Sequence, residues 1–173
     1  MIGDRWGVSD EEVARRYPCD DLIPAPVLQA WRGVTVHASR SDVWPWVAQI
    51  RLAPYSYDWI DNLGRRSPQE LRDLSEPAPG QHFTTAGGRP TGRILSVEPG
   101  VQLTGQIMGA VMSYVLVPVG RATDGSTRLL LKVAGAHGRW IAPLLSIGDL
   151  VMARRQLLNL KRLAEQSTTR SDT

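Results

Sequence analysis

The sequence predicts an α+β domain in which one long C-terminal helix lies across a curved antiparallel sheet. Three observations carry that expectation. Between residues 140 and 164, Leu150, Ala153, Leu157, Leu160 and Ala164 recur at intervals of three and four, which draws one apolar stripe along a helix. Arg154, Arg155, Lys161 and Arg162 fall on the other side, where their stems can cover apolar surface while their charges stay in water. Between residues 34 and 136 the chain offers one short helical segment and a succession of strand-like runs broken by turn signals. Finally, 173 residues with 42% hydrophobic and 21% charged content and no Pro/Ser-rich linker fit one folded domain. The space between helix and sheet is either core or pocket.

Composition also narrows the function classes. The net charge of +3 is small and the basic residues are interspersed with acidic ones, so nothing points to nucleic acid. The apolar runs fall short of the ~20 residues a membrane helix needs. Asp4, Arg5, Asp10, Glu11 and Glu12 leave no room for a signal-peptide core, and a cytoplasmic protein is expected. Cys19 is the sole cysteine, which excludes an intrachain disulfide and a cysteine zinc site. Its neighbours Asp20 and Asp21 would raise a thiol pKa, so it reads as structural. Oligomeric state has no sequence signal here.

In chain order, Ser9 followed by Glu12 forms a capping-box signature for a short helix ending before Pro18. Residues 1–30 are too apolar for a free tail, with Trp6, Val13, Tyr17, Leu22 and Ile23, and read as an arm packed on the domain. Residues 34–38 alternate as the first strand, Val34 and Val36 inward, Thr35 and His37 outward. Ser39 or Ser41 can cap the next helix, which carries Val43, Trp44, Trp46, Val47 and Ile50, with Pro45 expected in its first turn. Tyr55, Tyr57 and Trp59 then crowd together and need a surface to bury against. A short helix is expected over residues 68–74. Strands are expected at 82–85, 92–97, 101–108, 111–119 and 127–136, with turns at Gly87-Gly88, at Glu98-Pro99-Gly100 and at Asp124-Gly125. Gln102, Thr104, Arg128 and Lys132 alternate with Leu103, Leu129, Leu131 and Val133, as in a sheet wet on its outer face. A disordered tail is expected from residue 167.

The strand holding Val34 and Val36, the run Ser41-Asp42-Val43-Trp44-Pro45-Trp46-Val47, the block Tyr55-Ser56-Tyr57-Asp58-Trp59, the Glu98-Pro99-Gly100 turn and the closing Met152-Ala153-Arg154-Arg155 together resemble the START-like superfamily, also called SRPBCC or polyketide cyclase/dehydrase-like, in its uncharacterised bacterial branch. The resemblance covers residues 6–165 and assigns the domain proper to 31–166. It implies the helix-grip fold, in which about six or seven antiparallel strands wrap the C-terminal helix around a cavity for apolar or amphipathic small molecules. It implies no single reaction, because the superfamily includes carriers, cyclases, receptors and interaction modules.

The cavity expected from that fold draws its candidates from Trp46, Tyr55, Tyr57 and Trp59, from Met108, Met112 and Tyr114 on the sheet, and from Trp140, Leu144, Ile147 and Val151 on the helix. Core packing competes with ligand contact at each of them, least so at the tyrosines, whose hydroxyls need partners when buried. The methionines flanking Gly109 suit an adaptable lip. Catalysis would need a proton acceptor and an oxyanion stabiliser, for which Arg93, Tyr114 and Asp58 are the candidates. Strand alternation with Leu95 and Val97 would turn Arg93 inward, whereas Asp58 also suits a helix cap. His82 and His137 stand alone, so no metal site is expected. Gly87-Gly88 and the 135–138 run lack a phosphate-loop pattern, and no cofactor is implied. The leading expectation is a protein that binds a hydrophobic small molecule. Its rivals are a cofactor-independent cyclase, dehydratase or aromatase on a polyketide-like substrate, and an interaction module with a filled core.

Overall fold

The computed structural model describes residues 4–60, 62–120, 125–136 and 142–171, with the side chains of 142–151 and 170–171 outside the description. In chain order the elements are β1 (Arg5–Trp6), α1 (Asp10–Ala14), α2 (Pro18–Leu22), β2 (Leu28–Val36), α3 (Arg40–Ala48), β3 (Thr84–Ala86), β4 (Arg89–Thr91), β5 (Arg93–Glu98), β6 (Gln102–Ile107), β7 (Ala110–Val119), β8 (Ser126–Gly135) and α4 (Ala142–Ser171). Six strands form one open sheet in the order β1-β2-β8-β7-β6-β5, while β3 and β4 pair as a separate hairpin. Neighbours are antiparallel except β1, which runs parallel to β2. This is the α+β arrangement expected, a helix-grip fold.

Period-2 alternation sets the two faces of the sheet. Leu129, Leu131 and Val133 of β8 and Tyr114 and Leu116 of β7 face inward, where they meet Ala153, Leu157, Leu160 and Ala164 of α4 and Val43, Trp46 and Val47 of α3. The stripe foreseen on α4 is therefore buried wherever its side chains are described, and each fully buried leucine contributes about 2 kcal/mol. Ser39 caps α3 by accepting from the Asp42 N–H, and Ser9 and Glu12 form the reciprocal box at α1.

The outer face departs from expectation. Instead of meeting water it is roofed by α1, the short capped helix expected in the N-terminal arm, and by α2, which has no counterpart among the expected elements. Tyr17, Cys19, Trp31, Val111, Val115, Leu130 and Ala134 make a second apolar cluster there. Gln102, Thr104 and Lys132, expected in solvent, are buried under that roof. They are tolerated because they are paired. Thr104 Oγ1 donates to Gln102 Oε1 (2.9 Å), Ser113 Oγ accepts from the Cys19 N–H (3.0 Å), and Lys132 Nζ pairs with Asp20 above the rings of Tyr17 and Trp31. Burial pushes the Cys19 thiol pKa up, in line with an inert structural role.

Four local expectations are also corrected. The first long strand starts at Leu28 rather than Val34, because it pairs with β8 as far as Gly135. Pro45 lies in the interior of α3, which begins at Arg40, and not in its first turn. Residues 68–74 are not helical: their backbone is irregular and tied to α3's end, where the Gln49 carboxamide donates to Glu70 O (3.0 Å) and accepts from the Arg72 N–H (2.7 Å). α4 continues through Ser171 instead of ending in a disordered tail at 167, and Ser167 Oγ accepts from Trp46 Nε1 (3.1 Å). The expected Asp124 half of the last turn lies outside the described residues.

Candidate functional site

Between α4 and the end of the sheet where β6 turns into β7, the described side chains leave the inner face unfilled. A cavity of about 410 Å³ opens there, lined by Ile50, Pro54, Ser56, Phe83, Thr84, Ala86, Ile107, Met108, Met112, Tyr114, Met152, Ala153 and Gln156. Gly105 makes one wall possible: a Cβ there would meet the Phe83 ring at 2.1 Å, so only glycine lets that ring lie flat on β6. The mouth is formed by the two-residue hairpin Met108-Gly109, both with positive φ (50° and 82°), which leaves Met108 96% exposed at its tip.

Two polar groups of this cavity, Tyr114 and Gln156, form a chain. Tyr114 donates its hydroxyl to Gln156 Oε1 (2.5 Å), and Gln156 Nε2 donates to Pro54 O (2.6 Å). One turn along α4, Asn159 Nδ2 donates to Tyr55 O (2.9 Å). Two carboxamides thus pin residues 54–56 to the helix as a strap, on which Tyr55 takes the left-handed conformation (φ 56°). Thr84 Oγ1 is occupied by Ile50 O (2.8 Å). No carboxylate, histidine, lysine or arginine is among the described lining residues.

The sequence-derived candidates separate into groups. Met108, Met112 and Tyr114 line the cavity. Trp46 is buried core, stacked edge-on against Tyr55 at 6.5 Å between centroids. Tyr55 is also core. Burial pushes its phenol up to about 12 against the opposing hydrogen bond from Gln49 (2.6 Å), so it stays protonated and is no base. Tyr57 lies half-buried beneath the Arg155 guanidinium, and Trp59 is 74% exposed, so neither faces the apolar cavity. Trp140 lies outside the described residues, as do the side chains of Leu144, Ile147 and Val151 and the lone His137.

Arg93 is exposed, not inward. The cause is a bulge in β5 between Ile94 and Ser96, which places Ile94 and Val97 on the inner face with Leu95 as the extra residue, and so breaks the alternation that had turned Arg93 in. Asp58 neither caps a helix nor faces the cavity. Its carboxylate accepts from the Ser67 N–H (2.8 Å) and hydroxyl (2.5 Å) and closes the 58–67 loop. His37 and His82 are both exposed, and no group of metal-binding side chains occurs among the described residues. No helix among them is long and apolar enough to cross a membrane.

Sequence reasoning missed Phe83, Met152 and Gln156. Phe83 carries no pattern signal. Gln156 did: it is the one polar residue between Ala153 and Leu160 on the buried stripe, and a polar group there needs a partner.

No family model and no curated protein matches this sequence. Solved structures do. A protein from Mesorhizobium loti (MLL2253) superposes with a TM-score of 0.54 at 16% identity, over 80% of this chain and 98% of that one. Protein NE0264 from Nitrosomonas europaea gives 0.53 at 13%, over 82% and 96%. The Polyketide_cyc-like protein Cgl2372 from Corynebacterium glutamicum gives 0.51 at 14%, over 84% and 95%. At such identities the likeness is one of fold: this chain has a helix-grip fold, similar to that of the Polyketide_cyc-like protein.

Proposed function

We propose that this protein binds a hydrophobic small molecule in the cavity between α4 and the sheet, holding it without chemical change. The observation that carries this reading is the described lining, apolar except for Ser56, Thr84, Tyr114 and Gln156. A core packed for stability alone leaves few voids larger than a water molecule. A filled-core interaction module would not leave this volume. The Gln156 amide adds direction, because Nε2 carries two N–H groups and Pro54 O takes one, leaving the second for a guest carbonyl or hydroxyl. Turnover has little support. Among the described lining residues Tyr114 is the sole ionisable group, and general acid–base chemistry needs a positioned partner of matched pKa.

Native mass spectrometry of the full chain with a panel of lipid-like and polyketide-like compounds tests the reading. Retention of one guest class, lost in Met152→Trp with an unchanged melting curve, is expected. No retained guest, or equal retention in Met152→Trp, overturns it.

A further inference from the structure

A second cleft, of about 420 Å³, lies on the other side of the 54–56 strap, and Ser56 lines both it and the apolar cavity. α4 serves both chambers: Met152 and Gln156 face the cavity, and Arg155, Asn159 and Arg162 face the cleft. Arg66 joins them from the loop that Asp58 closes. None of these three arginines is in an ion pair with a described residue. Arg155 rests over the Tyr57 ring (5.8 Å) and Arg162 donates to Gln69 Oε1 (2.8 Å), both neutral partners. Asp58, the one carboxylate among the described residues of the cleft, accepts two hydrogen bonds from Ser67. Three guanidiniums thus line a cleft with one carboxylate among its described residues, a balance that stays positive, beside an apolar cavity.

We propose that the guest is an amphipathic anion, its hydrocarbon body in the cavity and its carboxylate or phosphate group in the arginine cleft across the strap. This rests on the reading of the apolar cavity as a binding site. Guanidinium forks match both oxyanions bidentately, and a group tethered to a buried body meets them at high effective concentration. The exposed Trp59, on the rim of the cleft, gives the headgroup side an apolar flank.

The test is calorimetric titration of the full chain with decanoate, decyl phosphate, 1-decanol and inorganic phosphate. Both amphipathic anions are expected to bind about tenfold more tightly than decanol, and more tightly than inorganic phosphate. Arg66→Gln/Arg155→Gln brings them down to the affinity of decanol and leaves decanol unchanged. Raising the salt weakens the anions alone, a readout that needs no variant. Equal binding of decanol and the anions overturns the headgroup site while the cavity reading stands. Decyl phosphate no tighter than inorganic phosphate severs cleft from cavity and also overturns the proposal, and failure of all the decyl compounds to bind overturns both.

Discussion

On the outer face of the sheet, Lys132 sits under α2 with its charge met by Asp20 and its flanks covered by Tyr17 and Trp31. On the inner face, Met112, paired with Val133 one strand pairing along, borders open space. The same two strands supply both surfaces, so the difference does not come from β-propensity or from register. It comes from what covers each face. The outer cover is short and local, two five-residue helices drawn down by polar residues that bond to the sheet. The inner cover is one 30-residue helix held at Leu157, Leu160 and Leu163, with the 54–56 strap bonded to it at Gln156 and Asn159. The outer face is closed by paired polar groups, whereas the described residues of the inner face border a cavity beside the strap.

That contrast is open to breakage at three places. The largest effect is expected from Asp20→Asn, which leaves the Lys132 ammonium, 6% exposed, without its counter-charge. Breaking a buried pair in this way costs about 3 kcal/mol, read as a lower urea midpoint, with guest binding on the inner face unchanged. An unaltered midpoint would show that the roof does not depend on the pair. Next, Gly105→Ala drives a methyl into the Phe83 ring, and overpacking of this kind costs about 2 kcal/mol. Because Phe83 is a cavity wall, this variant is expected to lose guest binding along with stability, unlike Asp20→Asn, and intact binding would remove Phe83 from the site.

The smallest effect concerns pH. Burial alone would raise the Glu12 carboxyl, but hydrogen bonds from Arg128 and the Ser9 N–H, with the Arg128 and Arg15 charges, outweigh it and hold the pKa below the ordinary carboxylate value. A folded-state pKa depressed in this way contributes stability that is fully present above the unfolded value of 4.5 and is lost as pH falls through the lowered folded value. Glu12→Gln is therefore expected to cost about 1 kcal/mol near neutrality and to flatten the acid limb of urea-measured stability. Equal acid sensitivity in both proteins would mean that α1 is not tethered by this carboxylate.

Gly33 and Gly7 illustrate how such tethering is built. A Cβ on Gly7 would lie 2.3 Å from Gly33 O, and Gly7 O itself accepts from Arg128 Nη2 (2.6 Å), so the chain leaves β1 pressed against β2 and reaches α1 already in place. Neither glycine announces this in the sequence, since the contact joins segments far apart along the chain.

Much of the architecture was legible in the residues. The stripe of α4, the capping box at Ser9, the inward faces of β7 and β8 and the Glu98-Pro99-Gly100 turn follow from periodicity and local turn chemistry, which act within a few residues. Of the candidate site, the sequence pointed to Met108, Met112 and Tyr114, because strand alternation and the hairpin placed them together. Only the tertiary structure decided that Lys132 and Thr104 are buried, that a bulge turns Arg93 out, that Tyr55 serves the core, and that Phe83 and Gln156 border the opening. Each of those depends on which distant segment arrives opposite, and local physics is silent about an opposing surface until the chain has closed upon it.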